Sequence, residues 1–371
     1  LEESSLLHAK EPQEQGQSKT GESKADANKK TPMAIHVTGL GVLCLILGLG
    51  ILLVFLLFVG FDKVLGAVES VNPWQYLLAF LSVSLGLYFY VLTWQALLRS
   101  IGQPPGLRVT APIVLTSIFI NFIIPTASTG GEAVRAYLLS KKSNIDTGRS
   151  VASVLAHRII TLLPFSLCAT VGLIVLLISN SVAVPALWTI MVFATAASSF
   201  VALMLLSYFS KDVQALKKAA AWIIELAARL LRSQRIKKRA DSWKRSLSSA
   251  LDSFQTAVSL MGAKKSNLAL SVLYAFLSWF FDAMVAFFVF YALGYNVAIP
   301  VILVVYAVGM VIQMFPLGIP GTIGVVEGVM YAMYASFGVP GEIAMSAALL
   351  IRIPMFWYLL GLGAVATRWS T

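Results

Sequence analysis

Six charged side chains stand in stretches of sequence otherwise suited to a lipid bilayer: Glu132, Arg135, Arg158, Asp282, Glu327 and Arg352. Charges at membrane depth are costly, and they tend to mark substrate or ion pathways. Four of them form a duplicated pattern. Pro125-Thr-Ala-Ser-Thr-Gly-Gly-Glu132 and Pro320-Gly-Thr-Ile-Gly-Val-Val-Glu327 each place a glutamate seven residues after a proline, with glycines between. About 25 residues later each half carries one arginine inside an apolar run, Arg158 and Arg352. A guanidinium is a planar fork suited to phosphate, because it donates two parallel hydrogen bonds. Glu132 and Glu327 are the natural counter-ions. Two roles stay open for each pair: a permanent salt bridge, or a site at which a lipid phosphate displaces the carboxylate. Glu132 also fits a cap at the start of a half-helix, where backbone N–H groups and the helix dipole favour a negative charge.

Other polar side chains accompany the pairs. Thr126, Ser128 and Thr129 near the first glutamate, and Thr322 near the second, offer hydroxyls to an anionic head group, and Arg135 adds a further cation. Asn121 and Gln313 stand where they could face the same cavity. Asp282, within Trp279-Phe-Phe-Asp282, fits a proton relay, a cation ligand or an arginine partner. His157 titrates near neutral pH when unperturbed; it fits either a proton site or a packed hydrogen-bonding residue. Nucleophile-elbow, Walker and HExxH patterns are absent, which argues against a self-contained transferase or an ATP-driven pump.

These residues need membrane-spanning elements to position them. Hydrophobic residues make up 58% of the chain and charged ones 12%, the balance of an all-α polytopic membrane protein. Full spans are predicted over 33–60, 73–98, 150–179, 185–209, 266–293 and 343–367. Two further apolar runs, 110–124 and 301–315, fall short of the roughly 20 residues a crossing requires. Each breaks at proline and glycine and is followed by a second short segment, so each is read as a re-entrant helical hairpin. Broken backbone is tolerated at membrane depth where protein or a water-filled cavity surrounds it.

Loop charge orients these elements. The 211–265 loop holds 13 Lys/Arg against four Asp/Glu, a net +9 of the chain's +11, which places it on the cytoplasmic side. Arg99, Arg108, Lys141, Lys142 and Arg149 place both ends of the first hairpin there too, whereas 180–184 and 294–300 carry no charge. The second hairpin then enters from outside. Repeat one, about 73–179, and repeat two, about 266–368, become inverted repeats with hairpin tips meeting near the midplane. Both termini are expected in the cytoplasm, and residues 1–32 form a disordered tail. Within the basic loop, 213–230 and 236–258 have amphipathic helical spacing, suiting a connector or an interfacial helix attracted to anionic lipid. Nucleic acid is not an expected partner. Cys44 and Cys168 are far apart and the three histidines do not cluster, so neither a disulfide nor a metal or other cofactor is expected.

The run Pro125 to Arg135 with Val151-Ala-Ser-Val-Leu-Ala-His-Arg158, and the run Pro316-Leu-Gly-Ile-Pro320 to Glu327 with Arg352, resemble the lysylphosphatidylglycerol synthase transmembrane, flippase-like family. The resemblance covers about residues 33–370 and lacks the soluble aminoacyl-transferase domain of the synthase members. It implies lipid translocation. One difference stands out: where family members often carry Glu before the first arginine and Asp three residues after it, this chain has His157 and Thr161. The expected function is a flippase or transporter of the cytoplasmic membrane for an anionic phospholipid or polyprenyl-linked lipid, not an enzyme. Its expected partners are membrane lipids and either a second copy or a lipid-synthesis enzyme. The rival readings are a secondary transporter of a small anion and an integral-membrane enzyme that modifies a lipid.

Overall fold

The structure is a computed structural model that describes residues 46–370, apart from 48, 51–52, 55, 103–104, 125–128, 180–185, 212–233 and 314–316. The expected tail 1–32, most of the 33–60 span, Cys44, Thr126, Ser128 and the amphipathic stretch 213–230 lie outside or almost wholly outside the described residues. Every regular element among those described is helical. In chain order they are α1 (Phe61–Glu69), α2 (Pro73–Ser100), α3 (Leu107–Ile123), α4 (Thr129–Ser143), α5 (Thr147–Ser179) and α6 (Ala186–Lys211). There follow α7 (Gln234–Ala263), α8 (Lys265–Ala292), α9 (Ile299–Gln313), a 3₁₀ turn (Pro320–Thr322), α10 (Val325–Ser336), α11 (Gly341–Arg352), a π-helical turn (Ile353–Tyr358) and α12 (Leu359–Ser370).

Four continuous rods are long and apolar enough to cross a membrane: α2, α5, α8 and the α11–α12 rod. They coincide with four of the predicted spans. The predicted 185–209 span corresponds to α6, a 26-residue helix. The short runs expected to form hairpins are the shorter apolar helices α3 and α9, followed by α4 and α10.

Helix α2 starts where Asn72 Oδ1 accepts from the N–H groups of Trp74 (3.0 Å) and Gln75 (3.3 Å), with Pro73 in the first turn where no N–H is needed. It runs antiparallel to α8. The Asn72 N–H donates to the Ala292 carbonyl (3.0 Å), Ser82 Oγ to Phe281 (2.7 Å), and Ser271 Oγ to Thr93 (3.2 Å). Small polar side chains bonded across helices are a regular device where the hydrophobic effect cannot drive association. Each short apolar helix packs against the other half: α3 against α12, where Gly363 meets Leu115 and Phe119, and α9 against α5, where Gly172 meets Pro300, Leu303 and Val304.

Helices α3 and α4 meet at a glycine. Asn121 Oδ1 accepts the Gly131 N–H at 2.8 Å, satisfying one of the orphan donors at the start of α4. A Cβ at Gly131 would collide with the Ser117 carbonyl oxygen and the Asn121 side chain. Gly131→Ala is therefore expected to push α4 off α3 and cost about 1–3 kcal/mol, read as a lower melting temperature in detergent; an unchanged melt would contradict this packing. Ahead of α10 the chain passes through the 3₁₀ segment, where Gly321 (φ 59°) and then Gly324 (φ 83°) adopt left-handed backbone. The Phe356 ring also fills the space that a side chain at Gly321 would occupy.

The α11–α12 rod is interrupted at Pro354, which has no N–H to give the Leu350 carbonyl. That carbonyl accepts instead from the Tyr76 hydroxyl at 2.8 Å and from the Ile353 N–H. A π-helical turn follows, a feature often found beside functional sites. The second amphipathic stretch of the basic loop folds as α7, whose Phe254, Ala257, Val258 and Met261 are buried with α2 and α5 residues.

Candidate functional site

A cavity of about 240 Å³ lies among α2, α3, α5, α8, α9, α10 and α11. Its wall is mostly apolar, with Val83, Leu87, Met310, Val326 and Met355 among its members. Into this surface project Arg158 from the first half and Arg352 from the second, with Asp282, Asn121, Gln313 and Thr322. A smaller cavity of about 110 Å³ shares Arg158, Asp282, Tyr90 and Tyr306 with the first and adds Trp279 and Ser278.

Each glutamate–arginine pair forms within its own half of the chain, but with unequal geometry. Arg352 Nε donates to Glu327 Oε1 at 2.7 Å, and both side chains are almost fully buried, 6% and 5% exposed. The second Glu327 oxygen accepts the Gly324 N–H at 2.7 Å, closing the first turn of α10 like a capping box. Arg352 Nη2 donates to the Gly321 carbonyl at 2.6 Å, and the guanidinium stacks 4.5 Å from the Phe356 ring centroid. This arginine is thus held by a carboxylate, a carbonyl and a ring. The first pair is looser: Arg158 Nη1 lies 3.2 Å from Glu132 Oε1, with 29% and 22% of the side chains exposed. Neither glutamate forms part of the cavity wall described above; each stands behind its arginine.

Arg135 occupies a different place. It is 2% exposed and away from the cavity wall, its guanidinium 3.8 Å from the Trp94 ring and 5.6 Å from that of Tyr90. Its Nη1 donates to His157 Nδ1 at 3.2 Å, and His157 Nε2 donates to the Tyr90 carbonyl at 3.1 Å. That chain of donors fixes a neutral imidazole with its proton on Nε2, because Nδ1 must accept. His157 therefore fills the packed, hydrogen-bonding role, and it is not brought together with Asp282 as an acid–base couple. Thr322 is buried at the cavity with its hydroxyl donating to the Gly321 carbonyl (2.7 Å), whereas Thr129 is exposed at the start of α4.

Several cavity residues carried no signal of their own in the sequence. Tyr306 and Tyr90 look like ordinary aromatic members of apolar helices. Gly86 looks like a tolerated helix glycine, yet the Asp282 carboxylate occupies the space any side chain there would fill. One signal was available: a lone glycine in a long run of large residues, in a chain with an unpartnered acid.

The long helices and the charged cavity define a multi-pass integral membrane protein with an internal polar site. Residues 45–363 match the family described as the lysylphosphatidylglycerol synthase TM region, and the chain belongs to that family. The sequence similarity to three relatives covers nearly their whole length. A UPF0104 membrane protein of Methanothermobacter thermautotrophicus is 28% identical, covering 88% of this chain and 94% of the relative. UPF0104 membrane proteins of Pyrococcus horikoshii (24% identical; 87% and 95% covered) and Methanocaldococcus jannaschii (22%; 86% and 92%) are also similar.

Proposed function

We propose that this protein moves a lipid with an anionic, phosphate-bearing head group across the cytoplasmic membrane, and that it acts as a transporter, not an enzyme. The observation that carries the reading is that Arg158 and Arg352, from opposite halves of the chain, line one largely apolar cavity. The cavity's roughly 240 Å³ is below the range of about 300–1,000 Å³ that encloses a drug-sized ligand. It suits a head group whose acyl or polyprenyl chains stay in the bilayer. The family's description, which names lysylphosphatidylglycerol, supports a phosphate-bearing lipid as the substrate class.

The antiparallel run of α2 and α8, with each short apolar helix packed on the other half, supports inverted repeats with two re-entrant hairpins. Basic residues gather at one end, where Lys264 Nζ donates to the Arg99 carbonyl (3.4 Å) and Lys142 Nζ to that of Trp369 (3.0 Å). By the positive-inside rule that end is cytoplasmic, and so is the C-terminal helix end. Exposed Trp74 and Trp369 stand at the two ends of the bundle, as interfacial anchors do.

The test is purified protein in liposomes carrying fluorescent phosphatidylglycerol, with dithionite quenching of the outer leaflet. Loss of fluorescence beyond the outer-leaflet half is expected. No movement above protein-free vesicles, across phosphatidylglycerol, phosphatidic acid and a polyprenyl phosphate, would overturn the reading.

A further inference from the structure

Asp282 is the one of the six intramembrane charges that neither the ion pairs nor the Arg135 cluster uses. It has no ion-pair partner among the described residues. It lines both cavities beside Arg158, with its carboxylate lodged against the bare Cα of Gly86. The groups that face it are the Tyr306 phenol of α9, Tyr90 of α2, Arg158 of α5 and, across the larger cavity, Arg352 of α11 with Glu327 of α10 behind it. Both arginines already have glutamate partners. His157 has both ring nitrogens committed, and an added proton on Nδ1 would point at the Arg135 guanidinium.

The charge count then constrains what can enter. With all six groups ionised, Arg135, Arg158 and Arg352 balance Glu132, Glu327 and Asp282, so the described interior is then neutral when the cavity is empty. A phosphodiester brings one further negative charge into the cavity that Asp282 lines. Two anionic groups in one low-dielectric pocket disfavour each other's ionised forms, and an unbalanced buried charge is expensive.

Resting on the lipid-transport reading above, we propose that Asp282 is a proton-binding site coupled to the head-group site, loading one proton with each anionic lipid. The proton comes from water reaching the cavity, binds an Asp282 carboxylate oxygen as the phosphate meets the arginines, and returns to water when the phosphate leaves. Charge balances at each step, and the interior is neutral both empty and loaded. The pH gradient across the membrane would thereby drive net lipid movement.

Two measurements test this on the intact chain. In liposomes with fluorescent phosphatidylglycerol and a one-unit pH gradient, one-to-one coupling predicts an uneven final distribution, about tenfold toward the alkaline side. That endpoint is independent of rate. An even distribution, equal to that without a gradient, would overturn the proposal. In detergent, the protein titrated with dihexanoyl-phosphatidylglycerol in weakly buffered solution should take up about one proton per lipid bound, read with an indicator dye. Asp282→Asn should abolish uptake while Asp282→Glu keeps it; uptake persisting in Asp282→Asn would assign the proton elsewhere and overturn the proposal. Binding without proton uptake by the unaltered protein defeats this inference alone, whereas absence of both binding and movement defeats the lipid reading itself.

Discussion

Arg352→Ala is expected to cost about 3–5 kcal/mol of stability, because it strands a buried carboxylate. Glu327 is 5% exposed; it would keep its bond from the Gly324 N–H but lose its cation. The Gly321 carbonyl and the Phe356 ring would lose their partner in the same step, so the whole turn before α10 loosens. A fall of this size should appear as aggregation or a markedly lower melting temperature in detergent. Glu327→Gln in the same chain should recover part of the loss, since the uncompensated charge is gone and an amide oxygen can still accept the Gly324 N–H. An Arg352→Ala protein that melts like the unaltered one would show that the pair contributes nothing to the hairpin.

Arg158→Ala should separate function from folding. Its pair with Glu132 is longer and several times more exposed than the Arg352 pair, so its loss should cost about 1 kcal/mol or less. Its guanidinium nevertheless lines both cavities, where a charge-assisted bond to phosphate is worth about 1.5–3 kcal/mol. Lipid movement in liposomes should fall roughly 10–100-fold, tenfold for each 1.4 kcal/mol lost. Arg158→Lys should restore only part, because an ammonium keeps the charge but not the planar fork. Full transport by a well-folded Arg158→Ala protein would remove this residue from the substrate path.

The contrast bears on whether the glutamate–arginine pairs are struts or exchangeable. Arg352 is tied at three points, the geometry of a strut that still presents one face to the cavity. Arg158 has a single 3.2 Å partner and more freedom to swing toward an incoming phosphate. The duplicated motif has thus diverged in geometry: one copy is buried and tied at three points, the other is partly exposed with a single longer contact.

The sequence by itself determined the helical class and the chain positions of the short apolar helices, and it singled out for each glutamate the arginine about 25 residues beyond it as the natural partner, leaving the structure to show that both pairs form. Those features are local or periodic. Apolar runs of a given length, proline–glycine breaks and a repeated spacing need no knowledge of neighbours. Asn121 and Gln313 were also legible as cavity residues, being amides in apolar helices that give them few other places to point. The tertiary structure alone decided which cations share the cavity. Arg135 and Arg158 lie 23 positions apart in successive helices, and nothing in their flanking residues tells that the first is sealed under Trp94 while the second lines the cavity. The structure alone also brought Asp282, Gly86 and Tyr306 together from three helices. The physical reason is common to both cases. A soluble helix marks its inner face with an apolar stripe, whereas helices such as α2, α3 and α8 are apolar all round. Their facing is fixed by close packing at glycines and serines, and that packing exists only once the helices have met.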